Sequence, residues 1–190
     1  MSFSILDGKG KGNEAKVDSE NRLHTTSVSQ SNQHHVSISE SGSYQISGEI
    51  SIGTSDTGIL YLENTSDTHD LVVTFLRVMS IGAAAASSAA YFTINIGGSY
   101  TSGGAATVPT NMKVGSSTTA AVTAYDGTTP LVLANFTEID RNYEANSMQS
   151  YNKDGSIVLG KGNTISINHK GSTVAGEAYA RISFYFEKDL

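Results

Sequence analysis

The chain has 190 residues, 16% of them charged, with a formal net charge of -6 and no cysteine. The acidic balance argues against a nucleic-acid groove, which needs clustered Lys and Arg. The missing cysteine excludes disulfides, thiolate metal sites and cysteine nucleophiles. No apolar run is long enough to span a bilayer as a helix, and the first twelve residues lack a signal-peptide core, so neither membrane insertion nor export by that route is expected.

Residues 1–40 are polar and carry only thinly spaced apolar side chains. Phe3, Ile5 and Leu6 precede a glycine-rich stretch, GKGKGN, and Val17, Leu23 and Val28 follow. So few apolar residues cannot make a core. The reading is an extended N-terminal arm, with these six residues as its assembly interface, held by a neighbouring chain or by its own sheet.

Residues 43–52, SYQISGEISI, alternate strictly. Tyr44, Ile46, Ile50 and Ile52 are assigned to the core and the serines, Gln45 and Glu49 to solvent, as in one strand of an antiparallel sheet. Residues 58–81 organise the chain. Two apolar runs flank a turn-forming segment, Asn64-Thr65-Ser66-Asp67. This is read as a central hairpin. In its second run Leu71, Val73, Phe75 and Met79 share one face and Val72, Leu76 and Val78 the other.

The alanine-rich piece at 82–90 is read as a loop joining two sheets. Residues 91–96 are a strand, and weaker strands are expected in ATVPTNMKV, STTAAVTAY and LVLANFTEI. Residues 140–155 are polar, with room for one helical turn. Strand, Gly-Lys-Gly-Asn turn and strand follow. The last strand places Ala178, Ala180, Ile182, Phe184 and Phe186 inward. No fixed-period repeat is present. The pattern therefore predicts an all-β fold: a jelly-roll-like antiparallel β-sandwich over 41–190, behind an arm at 1–40.

Candidate sites are sparse. Asp56-Thr57-Gly58 spells the aspartic-protease triplet, but the apolar strand follows it instead of running into it, so a turn is favoured. His34 and His35 project to opposite faces of a strand and cannot share an ion within one chain. Asp67, His69 and Asp70 crowd one loop without ligand-motif spacing, and a solvated tip is favoured over a cation site. GKGKG lacks the spacing of a phosphate loop. Asn64-Thr65-Ser66 and Asn135-Phe136-Thr137 match the glycosylation acceptor by accident. Tyr61, Tyr100, Tyr125, Tyr143 and Tyr151, taken as exposed, suit either a protein interface or stacking on sugars, with the interface preferred. No catalytic residue, cofactor or metal ligand is assigned.

Several phrases together resemble small jelly-roll virion structural proteins of tailed bacteriophages, of the capsid decoration or cement type. They are AKVDSENRLHT, ILYLENTSDTHDLVVT, NMKVGSS with TAYDG, and VLGKGNTISINHKG. The likeness runs from about residue 10 to the end, and departs from the pattern at Gly160, where relatives carry proline. It implies a structural protein and not an enzyme: a homo-oligomer, expected to be a trimer, bound to partners such as the major capsid protein. Its place would be the virion, assembled in the host cytoplasm, with no nucleic-acid or membrane partner. A tail, baseplate or fibre-attachment subunit is the alternative, and a carbohydrate-binding β-sandwich module is the alternative from another class.

Overall fold

The computed structural model describes residue 36 and residues 42–52, 55–81, 90–143, 149–170 and 176–188. The chain divides into two units, Met1–Ser31 and Asn32–Leu190, and every described residue lies in the second. Twelve strands make up the described elements: β1 (Ser43–Ile52), β2 (Thr57–Asn64), β3 (His69–Ile81), β4 (Tyr91–Ile96), β5 (Ser99–Ser102), β6 (Ala105–Ala106), β7 (Thr110–Asn111), β8 (Val122–Ala134), β9 (Thr137–Tyr143), β10 (Gln149–Leu159), β11 (Thr164–Lys170) and β12 (Gly176–Lys188). The predicted all-β sandwich is the observed fold.

The sheet orders are β10-β3-β12-β1-β7 and β5-β8-β2-β11-β4-β9, the second also holding β6 against β8. Without β5–β8 the order is β10-β3-β12-β1 in one sheet and β9-β4-β11-β2 in the other. The chain crosses between sheets at β1–β2, β2–β3, β3–β4, β9–β10, β10–β11 and β11–β12. That is the eight-stranded jelly roll, and β5–β8 is an insertion between its fourth and fifth strands.

Antiparallel pairing accounts for the inward faces. Tyr44 sits opposite Phe184 and Ile46 opposite Ile182. In the other sheet Leu60 sits opposite Ile167 and Leu62 opposite Ile165. Both sets meet in one continuous core with Leu71, Val73, Leu76, Val78, Phe92 and Ile94. The inward residues read in β1 and β12 are buried wherever their side chains are described, but Ser43 and Tyr185 on the opposite faces, expected in solvent, are buried too.

Three expectations are corrected. The central hairpin is not a hairpin: β2 and β3 belong to different sheets, and residues 65–68 carry the chain across the sandwich. Both strands are apolar on two faces, and alternation alone does not distinguish a hairpin from a crossing between sheets.

Phe75 and Met79 do not share a face with Leu71 and Val73. Val73 pairs with Phe184 but Phe75 pairs with Ser183, so Thr74 is an extra residue on β3. This bulge reverses the phase of the strand. Leu71 and Val73 before it, and Leu76 and Val78 after it, all reach the core, while Phe75 and Met79 are half-buried on the outer face. Val72 lies outside as well, packed with Tyr185 and Val36.

The weaker strands are also redrawn. ATVPTNMKV holds two two-residue ladders and a loop. LVLANFTEI is broken at Asn135, whose φ of 59° turns the chain from β8 into β9. The polar stretch at 140–155 continues as strand on both sides of residues 144–148, which lie outside the described residues. So do the alanine-rich loop at 82–89 and all six arm residues: Phe3, Ile5, Leu6, Val17, Leu23 and Val28.

Candidate functional site

The two sheets end differently on their two flanks. On one flank the insertion extends both sheets, with β8 beside β2 and β7 beside β1. On the other flank β10 ends the first sheet and β9 ends the second, and no described strand pairs with the outer edge of either. Lys153 of β10 and Asp140 of β9 form an ion pair, Nζ to Oδ2 at 3.1 Å, which draws these two edges together.

A groove of about 420 Å³ lies between the edges, lined by Ile96, Ile139, Ile157, Val158, Leu159 and Asn163. Ile157 and Leu159 belong to the core, whereas Ile139 and Val158 are 43% and 52% exposed. Large aliphatic residues on an open strand edge run against the usual protection of edges by charge or proline. The charges that β9 does carry are paired: Arg141 grips Glu138 through Nε and Nη2 at 2.7 and 2.9 Å. That contact holds the Glu138 carboxyl below the usual carboxylate range. The flank is therefore a polar-rimmed apolar slot between two ladders that no described strand completes. It can accept an extended peptide through backbone hydrogen bonds.

A second surface lies at the far end of the other sheet. Tyr61 of β2 is opposite Tyr125 of β8. Tyr100 of β5 stacks on Tyr125, with ring centroids 3.7 Å apart and planes 5° apart. Tyr61 leans on both at 47°, with centroids 6.0 and 6.2 Å away. Tyr61 is only 3% exposed, against the sequence expectation. Its hydroxyl donates to Glu63 Oε2 at 3.2 Å. Burial, then the Glu63 charge, pushes its pKa up to about 12.

The turn that positions Tyr100 needs glycine. Gly103 and Gly104 have φ of 83° and 65°. A Cβ on Gly103 would lie 2.0 Å from the carbonyl oxygen of Pro130. The Gly103 carbonyl in turn accepts the Tyr100 hydroxyl at 2.8 Å. Of the five tyrosines named from sequence, three come together here. Tyr151 packs beside the core on β10, under the Lys153 ammonium. The Tyr143 side chain lies outside the described residues.

The remaining candidates separate. Asp56 is exposed and paired with Lys170 at 2.9 Å. Asp67 pairs with Lys161, which lowers its pKa. His69 shares a hydrogen bond with Thr68, Nδ1 to Oγ1 at 2.8 Å. Among the described residues, no three His, Asp or Glu side chains gather closely enough to hold a metal ion. His34, His35 and the GKGKG stretch lie outside the described residues.

Asn64 is fully buried, and its amide is committed inside the protein. Nδ2 donates to the carbonyls of His69 and Leu159 at 3.0 and 2.7 Å, and Oδ1 accepts from Ser66 N at 2.9 Å. It is a structural pin and not a glycan acceptor.

Sequence reasoning missed the open flank. Ile139 and Val158 sit in strands of ordinary alternation, and only the sheet order reveals those strands as edges. Compared with protein-family models, curated proteins and solved structures, the chain gives no match.

Proposed function

We propose that the chain is a structural assembly protein: a virion component of a tailed bacteriophage that binds and stabilises the head shell as a decoration subunit. The observation that carries the assembly reading is the flank where β9 and β10 both lack a described neighbour and expose Ile139 and Val158 between them. A strand supplied by another subunit would satisfy both ladders and cover the slot. The sequence offers such a segment in residues 1–40, whose Phe3, Ile5, Leu6, Val17, Leu23 and Val28 are too few to form a core but enough to fill alternate positions of a groove. The sandwich supplies a rigid body without any disulfide. The resemblance of its phrases to phage jelly-roll proteins is what supports the virion in this reading, with a trimer bound to the major capsid protein.

The test is immunogold electron microscopy of phage particles carrying the gene, together with the mass of the purified full-length chain by light scattering. Label over the head and a homo-oligomeric mass are expected. Label confined to the tail or baseplate would move the subunit to that structure. Particles without label would end the virion reading.

A further inference from the structure

The tyrosine surface lies at the opposite end of its sheet from the open flank, so a site there is independent of the assembly reading. Two cross-strand rows run side by side on the outer face. The aromatic row is Tyr125 and Tyr61, with Tyr100 stacked on Tyr125. The neighbouring row is Thr123, Glu63 and Thr164, because Glu63 sits opposite Thr123 on one side and Thr164 on the other. Residues two apart on a strand are about 7 Å apart along it, and neighbouring strands lie about 4.8 Å apart. Ring faces therefore adjoin a carboxylate flanked by two hydroxyls, at the spacing of a pyranose ring and its substituents. A groove of about 320 Å³ follows these rows.

Glu63 and Thr123 are half-buried and face the groove, whereas Thr164 is buried. Among the described residues no cation pairs with Glu63, whose Oε2 accepts only the Tyr61 hydroxyl. Thr164 Oγ1 donates inward to the Gly98 carbonyl at 2.7 Å, so it braces the floor of the groove.

We infer that this groove is a binding site for a neutral oligosaccharide, with one sugar ring stacked on the outer face of the Tyr100–Tyr125 pair and its hydroxyls bound by Glu63 and Thr123. Sugars offer apolar C–H faces and vicinal hydroxyls, which are the two chemistries the rows present. Glu63 and the net charge of -6 disfavour phosphates and acidic sugars. An aromatic cage for a quaternary ammonium needs ring faces held apart around the cation. Here Tyr100 and Tyr125 each cover one face of the other, and Tyr61 is buried beneath them, so no cage opens between the rings.

Saturation-transfer NMR on the full-length chain tests this, with maltohexaose, cellohexaose, mannohexaose and N-acetylchitohexaose as probes. At least one probe should receive saturation at its ring protons. Both Glu63→Gln and Tyr125→Ala should weaken its affinity about tenfold or more, the equivalent of one charged hydrogen bond or one stacked ring. Glu63→Gln is isosteric and decides the matter if Tyr125→Ala fails to fold. The inference is overturned if none of the four probes binds at about 10 mM, an affinity below useful recognition. It is equally overturned if binding survives Glu63→Gln unchanged, or if tetramethylammonium binds there in a Glu63-dependent way while the sugars do not.

Discussion

Asn64 donates its side-chain amide to the carbonyl of Leu159 at 2.7 Å, across 95 positions of sequence. The same amide holds the His69 carbonyl, and the Asn64 backbone bonds Asn163 and Gly162. Asn64 ends β2 and Leu159 ends β10, so one buried side chain ties together two of the six places where the chain leaves one sheet for the other. Asn64→Ala strips a donor from two buried carbonyls and should cost about 2–4 kcal/mol in urea unfolding. Asn64→Asp should destabilise further at neutral pH, because a carboxylate would face two carbonyl oxygens. The fold would then raise that carboxyl's pKa above its unfolded value. The variant should be relatively more stable near pH 4 and lose stability as pH rises. Wild-type stability in both variants would remove Asn64 from this role.

The bulge at Thr74 separates two phenylalanines that alternation treats alike. Phe184 is fully buried between Tyr44 and Phe186, whereas Phe75 lies on the outer face with the Arg77 guanidinium over its ring. Phe184→Ala should cost about 3–5 kcal/mol. Phe75→Ala should cost about 1 kcal/mol or less, as for a surface site. Equal shifts in the urea midpoint would mean that the bulge does not set the phase of β3.

These two sites show what the sequence makes legible. Strands β1 and β12 could be read because their alternation is unbroken, and β11 because the Gly-Lys-Gly-Asn turn precedes it. The inward set of β12 was readable residue by residue. Phase after Thr74 was not, because a bulge is a property of two strands in register and leaves no mark on one of them. The β2–β3 crossing was hidden for a similar reason: its turn chemistry also suits a hairpin, and only the partner β11 shows where β2 belongs. Tyr61, Tyr100 and Tyr125 could be named singly, but their stacking depends on the Gly103–Gly104 turn that folds β5 onto β8.

Tyr61 should titrate late. Its folded pKa of about 12 lies above the ordinary tyrosine value because burial and Glu63 both oppose the phenolate. A group raised in this way stabilises the fold below the unfolded pKa. That contribution is lost as pH climbs from about 10 towards the folded value. Absorbance titration at 295 nm should show a phase near 12 that is absent in Tyr61→Phe. The variant should also lose less stability between pH 10 and 12. An unchanged late phase in Tyr61→Phe would assign it to another tyrosine; Tyr44, Tyr151 and Tyr185 are also raised by burial.

The open flank makes the sharpest demand on the assembly reading. Ile139 and Val158 are half-exposed, so replacing them costs little core packing, and the fold should tolerate charge there. An incoming strand would have to bury that charge against its own backbone. Lysine is the residue natural edges use to refuse such pairing. The double variant Ile139→Lys with Val158→Lys should keep its strand-rich circular dichroism and melt within a few degrees of the wild type. Its homo-oligomer, or its binding to phage particles, should weaken by about a hundredfold or more, because two apolar anchors and a ladder of backbone bonds are lost together. Lys153→Ala gives the complementary control. It breaks the Asp140 pair that draws β9 and β10 together but leaves both edges uncharged by new groups. It should shift assembly only slightly, since it removes neither apolar anchor and places no charge on the edges. A folded double-lysine variant that assembles and binds particles with full affinity would rule out this flank as the attachment surface.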